Sequence, residues 1–134
     1  MKPATWLVLA MPAAVLLGAC TPGGISAKKA AEIRQKVKTR PLICSFEGLQ
    51  PFSGRRMADV VAGVAEDLDL AHSATSGNPG AHAGLAKEAA ENGQPVYIVG
   101  YSMGCASAVT LARWCDDHDV PVRVLFLLDP AVLP

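Results

Sequence analysis

At 134 residues, the chain has room for one domain of ordinary size. Apolar residues make up 51% of the sequence and charged residues 18%, which excludes a disordered chain and allows a packed core. The net charge of zero is the sum of two oppositely charged parts. Residues 1–40 contain seven Lys and Arg and one acidic residue, whereas residues 41–134 contain five Lys and Arg and eleven acidic residues. The larger part therefore lacks the clustered cations that bind nucleic acid.

An apolar run near the N-terminus predicts a secretory signal peptide. The run extends over twelve residues from Trp6 to Leu17, which suits a secretory segment and is too short to cross a bilayer. It leads into Leu17-Gly18-Ala19-Cys20, which resembles the lipobox of bacterial lipoproteins. The resemblance implies that residues 1–19 are removed and that Cys20 is lipidated, so we expect a lipid-anchored protein of the cell envelope, facing the periplasm or the outside. The alternative is an ordinary cleaved signal peptide with a chance cysteine.

Residues 20–40 are expected to form a tether and a basic linker. A Pro/Gly segment follows Cys20, and a weak helical pattern then runs through Ala30, Ile33 and Val37 among six Lys and Arg. We favour a solvated linker helix here; contact with anionic lipid head groups is the alternative.

Residues 41–134 alternate short apolar runs with helical patterns. Strands that are apolar on both faces and separated by helices predict a parallel sheet covered on each side. The expected fold is therefore α/β, a three-layer sandwich with a parallel sheet of about four strands. The predicted strands are Pro41–Phe46, Ala71–Thr75, Pro95–Gly100 and Val122–Leu128, and the predicted helices are one capped by Ser53, Ala81–Glu91 and Met103–Trp114.

Three cysteines lie in this region, and we expect them to be buried thiols. Cys105 and Cys115 are ten residues apart on one predicted helix, which separates them by roughly 15 Å and prevents a disulfide between them. Pairing of Cys44 with either one stays open.

The sequence Gly100-Tyr101-Ser102-Met103-Gly104 is the feature that most directly predicts chemistry. It lies where one predicted strand ends and a predicted helix begins, which is the context of a nucleophile elbow. In so tight a turn, side chains at Gly100 and Gly104 would collide with neighbouring elements, and Ser102 would be exposed at the start of a helix whose N–H groups favour negative charge.

With this motif the chain resembles the α/β-hydrolase family over roughly residues 41–134. The resemblance implies a serine nucleophile at Ser102 and oxyanion donors from the backbone N–H groups of Met103 and, in the loop after Phe46, Leu49. A simple turn is the alternative reading of that loop. Asp129 ends the last predicted strand and is the candidate triad acid; its other expected role is to cap the following turn.

The general base is harder to assign. In the family the histidine follows the acid, and no histidine follows Asp129. His72 and His118 are predicted at the wrong end of the sheet. His82 is a weak candidate, and an exposed position at a helix start is the preferred reading for it. Residues 115–119 contain metal-binding residue types, but an exposed helix end is preferred, and neither a metal nor a cofactor is expected.

These features predict an exported, lipid-anchored serine hydrolase acting on esters or related acyl compounds, inactive unless a base is supplied. The alternative is a non-catalytic envelope lipoprotein that retains a hydrolase-like fold. Thirty-two residues follow Ser102, fewer than the resemblance requires, so the chain is expected to represent a truncated form. The expected partners are an acyl substrate, a membrane through Cys20 and, through an exposed last strand, another copy of the chain.

Overall fold

The computed structural model describes residues 24–48 and 56–131. Each predicted strand is present, and the helices between them are present with ends shifted by a few residues. Ser53, Leu49 and Cys20 lie outside the described residues. No helix within the described ranges combines the length and the apolar character needed to cross a bilayer. The elements are α1 Ala27–Lys36, β1 Leu42–Phe46, α2 Met57–Asp67, β2 Ala71–Thr75, α3 Gly80–Glu91, β3 Val96–Tyr101, α4 Gly104–Asp117 and β4 Val122–Leu128.

The four strands form one parallel sheet in the order β2-β1-β3-β4. All strands point the same way, so their carboxyl ends meet at one edge of the sheet. Phe46 is opposite both Thr75 and Gly100 in the register, and Tyr101 is opposite Leu128. The predicted α/β class is therefore confirmed. The residues that follow the ends of these strands lie together at one edge of the sheet, where parallel α/β proteins usually bind ligands.

Helices cover both faces of the sheet, which gives the three layers that the sequence predicted. On one face, α1, α3 and α4 pack over the larger apolar cluster, which includes Ile33, Leu85 and Leu111. On the other face, α2 packs over a smaller cluster through Val61 and Ala65. Because β1 lies between two strands and beneath both layers, all five of its residues are buried.

Helix α1 belongs to the folded body. Ile33 and Val37 are only 2% and 0% exposed, respectively, in the larger cluster. Arg34 also reaches α3, where its Nε lies 3.3 Å from a carboxylate oxygen of Glu88. The prediction of a solvated linker helix over this stretch is wrong, because its short apolar stripe is enough to dock it on the sheet.

The three cysteines of the described residues are free and buried, as expected. Burial raises the pKa of the Cys115 thiol to about 11 and raises that of Cys44 further, with the nearby Cys115 adding to the effect. Both groups are therefore protonated, weakly reactive thiols that pack as small apolar side chains.

Candidate active site

Ser102 lies in the turn between β3 and α4, at the carboxyl edge of the sheet. Its φ angle is +52°, in the left-handed region that disfavours residues with a side chain. Its side chain is partly exposed and its hydroxyl makes no hydrogen bond within the described residues. The predicted strand-turn-helix arrangement is thus present, with a serine hydroxyl at its tip.

The two glycines of the motif are required by close contacts. A Cβ on Gly100 would lie 2.7 Å from the Cβ of Ala108 in α4. A Cβ on Gly104 would overlap the backbone carbonyl of Phe46 at the end of β1. Real Cβ atoms do not approach other atoms so closely, so glycine at both positions lets α4 start directly against the sheet.

The backbone after β1 packs against the same turn. A Cβ on Gly48 would lie 2.8 Å from the Cβ of Ser102 and 3.2 Å from the backbone nitrogen of Met103. That nitrogen is at the N-terminus of α4 and its N–H donates to no other described residue. This N–H is therefore available as a donor at the start of α4, whereas Leu49, the second predicted donor, lies outside the described residues.

Glu47 fixes the position of this loop, a role that the sequence did not reveal. Its backbone N–H donates to the carbonyl of Thr75 at the end of β2, at 3.0 Å. Its carboxylate accepts a hydrogen bond from the Ala58 N–H in the first turn of α2, at 2.9 Å. One residue thus connects β1 to β2 and α2 immediately before Gly48. A carboxylate some ten residues ahead of a helix was the only sequence signal, and it is a weak one.

Asp129 lies next to the turn. The Ser102 N–H donates to the Leu128 carbonyl at 2.9 Å, and the Ala131 N–H approaches the Ser102 carbonyl at 3.4 Å. Asp129 stands between these two contacts, with a φ angle of +47° and an exposed side chain. The strands that end directly before Ser102 and Asp129 are neighbours, as predicted, although the Asp129 carboxylate forms no hydrogen bond or ion pair with a described residue.

His82 is a core residue. It is fully buried in α3, where its Nε2 lies 3.2 Å from the hydroxyl of Thr75 and its ring packs edge-on against Phe46. Burial lowers the pKa of His82 to about 4, helped by nearby His72 and partly offset by the backbone of Ser45. The expected exposed position at a helix start is wrong, because α3 begins at Gly80 and turns this residue towards the sheet.

The other two described histidines, His72 and His118, also make their contacts away from Ser102. His72 is the second residue of β2, and its Nε2 lies 2.8 Å from the hydroxyl of Ser45. Burial lowers the pKa of His72 to about 4, with a contribution from Lys29 that Glu47 opposes. His118 follows the fourteen-residue helix α4, about 20 Å from its start, and its Nδ1 lies 2.7 Å from the Trp114 carbonyl. No described histidine therefore reaches Ser102.

No protein-family model matches the chain, and no curated protein or solved structure matches it either. The function proposed for this chain therefore depends on the geometry around Ser102.

Neither metal-ligating clusters nor the cavity beside β2 mark another site in the described ranges. No group of three or more His, Cys, Asp and Glu residues there is placed to hold a metal ion. A cavity of about 450 Å³ opens beside β2 between α1 and α2, away from Ser102. Its lining includes three cations and three acids, among them the pair Arg40 and Asp69, whose Nε and Oδ1 are 3.1 Å apart. This lining has no net charge that would select an ionic ligand.

Proposed function

We propose that the chain is a serine hydrolase of the α/β-hydrolase type that acts on esters or related acyl compounds, with Ser102 as the nucleophile. The observation that carries the proposal is the identity of residue 102. At a left-handed backbone position between two sterically required glycines, glycine would be the least strained choice, yet the residue is serine. Non-glycine residues held in such a conformation cluster at functional sites, and the other three in the described residues are all aspartates, which adopt it more readily than serine.

The surroundings supply part of the chemistry of acyl transfer. The Ser102 oxygen would attack the acyl carbon, and the Met103 N–H at the start of α4 would stabilise the oxyanion of the tetrahedral intermediate. Leu49 is the proposed second donor. Collapse of the tetrahedral intermediate would expel the protonated alcohol or other leaving group, and water would then hydrolyse the acyl-serine to release the acid and regenerate the Ser102 hydroxyl.

Asp129 is proposed to orient the base that accepts the Ser102 proton. The described histidines do not provide that base, so we expect slow acylation in the chain alone. The oxyanion donors and binding by themselves still accelerate such reactions when the base is missing.

A fluorophosphonate probe tests the role of Ser102. We expect slow covalent labelling of the purified chain, abolished by Ser102→Ala and retained by Ser76→Ala, which alters an exposed loop serine. Adding imidazole as an external base should accelerate formation of the acyl-serine from an activated ester, measured by mass spectrometry. Equal labelling of the wild type and Ser102→Ala would refute the assignment.

The second candidate is a non-catalytic envelope lipoprotein with a hydrolase-like fold. The absence of a described histidine near Ser102 favours it. A chain that is folded by circular dichroism but unlabelled, even with imidazole, would support this candidate over the first.

We also propose lipidation of Cys20 and a location in the cell envelope, supported by the lipobox-like sequence alone. Incorporation of an alkyne-tagged palmitate in a bacterial host should be lost in Cys20→Ser. Incorporation that survives this substitution would contradict the proposal.

A further inference from the structure

The outer edge of β4 is open and apolar within the part of the chain that the structure describes. β4 is the last strand of the sheet, so only one of its edges is paired, with β3. Its side chains are exposed on both faces: Phe126 is 54% exposed on one face and Leu127 40% on the other. Such an edge normally pairs with another strand or is protected by charge.

The backbone direction shows which residues of β4 can pair outward. The Leu128 carbonyl accepts the Ser102 N–H, so the backbone groups of Leu128 point towards β3. Backbone groups alternate along a strand, so those of Leu125 and Leu127 point to the open edge. Any strand added here must form its hydrogen bonds with these two residues.

Two charged residues at the ends of β4 favour pairing with an antiparallel second copy of the chain. Arg123 lies at an irregularity near the start of β4, and Asp129 directly follows its end; both side chains are exposed. A second copy that pairs antiparallel about Phe126 would bring Arg123 close to the partner's Asp129, and symmetry would repeat this contact at the other end of the strand pair. A parallel copy would place like charges together, which is destabilising.

We propose that two copies of the chain associate through antiparallel β4 strands, with the two-fold axis at Phe126. In this register Leu125 lies opposite the partner's Leu127, and both present outward backbone groups. The two Phe126 residues form a pair without mutual hydrogen bonds, in which opposite Cα atoms are about 4.5 Å apart and side chains touch. The dimer has one continuous sheet across both copies, and its interface satisfies the outward backbone groups of β4 and sets its apolar side chains beside those of the partner strand.

The dimer would also change the surroundings of the candidate acid. Asp129 has no ionic partner among the described residues of its own chain. The partner's Arg123 would provide one beside Ser102. This association rests on β4 and its flanking charges, and it does not require that Ser102 be catalytic.

Cysteine cross-linking tests the register. In the full chain carrying Cys20→Ser, Phe126→Cys should form a disulfide-linked dimer under mild oxidation, because the remaining native thiols are buried. Leu125→Cys and Leu127→Cys should each fail to cross-link alone but should cross-link when mixed. Cross-linking of either one with itself, or a Phe126→Cys chain that stays monomeric, would overturn the proposal.

Charge exchange provides an independent test. By sedimentation in density-matched detergent, Arg123→Glu should weaken dimerisation of the full chain by about tenfold, because Glu would face the partner's Asp129. Adding Asp129→Arg restores opposite charges and should restore the dimer. Both positions are exposed, so the variants should keep the wild-type circular dichroism spectrum. Unchanged dimerisation of Arg123→Glu, or no recovery in the double variant, would contradict the register.

Discussion

The buried histidine of α3 makes the stability of this protein sensitive to mild acid. His82 has a pKa of about 4 in the folded chain against 6.5 when solvated, because its core position disfavours the charged ring. The unfolded chain therefore takes up the proton first as the pH falls. The contribution of neutral His82 to the free energy of unfolding is fully present above about pH 6.5. It declines as the pH falls below that value and is fully lost near pH 4.

The two pKa values set the size of the effect. Between pH 7 and pH 5, proton linkage at His82 alone should lower the free energy of unfolding by about 2 kcal/mol. His72 should add to this loss, since its pKa is also lowered to about 4. Urea unfolding followed by circular dichroism at both pH values measures the total, and His82→Leu should reduce the loss by about 2 kcal/mol.

His118→Gln is the matched control. His118 is exposed at the end of α4, so its replacement removes a histidine without altering the burial of His82, and the variant should retain the loss of stability attributed to His82. If His82→Leu retained the full loss of stability between pH 7 and pH 5, the assignment of His82 as a buried neutral residue would be wrong.

Two further predictions concern the loop after β1. Gly48→Ala should lower the free energy of unfolding by about 1–3 kcal/mol and reduce fluorophosphonate labelling, because the added methyl group meets the Ser102 turn. Gly63→Ala is the control in α2, where the new methyl group would meet no atom within 4 Å apart from its chain neighbours and the nearby backbone of the same helix. It should be neutral or stabilising in the same urea titration, and similar losses in both variants would refute the argument. Glu47→Ala should cost about 1 kcal/mol through the lost cap of α2, measured by thermal unfolding, whereas Glu47→Gln keeps an oxygen for the Ala58 N–H and should cost less; equal losses would contradict this role for the oxygen.

Local sequence patterns predicted much of the fold. Apolar runs of strand length separated by helical periodicity predicted Ala71–Thr75 and Val122–Leu128 with their observed limits. The spacing of Gly100 and Gly104 around Ser102 predicted the tight turn, because a strand that enters a helix so abruptly leaves no room for Cβ atoms on either side. Each of these features is visible in the spacing of residues close in the chain, although the contact that requires Gly104 is made with the distant Phe46.

Contacts between distant segments decided the rest. Helix α1 has a weak apolar stripe, and only its packing against β2 and α3 shows that Ile33 and Val37 complete the core. The sequence allowed His82 to face either solvent or the sheet. Because α3 begins at Gly80, the His82 side chain points to the sheet and contacts Thr75. The link from Glu47 to α2 joins segments that the sequence does not pair. Periodicity describes how one element is shaped, whereas burial of a polar or weakly apolar residue depends on which other elements fold against it.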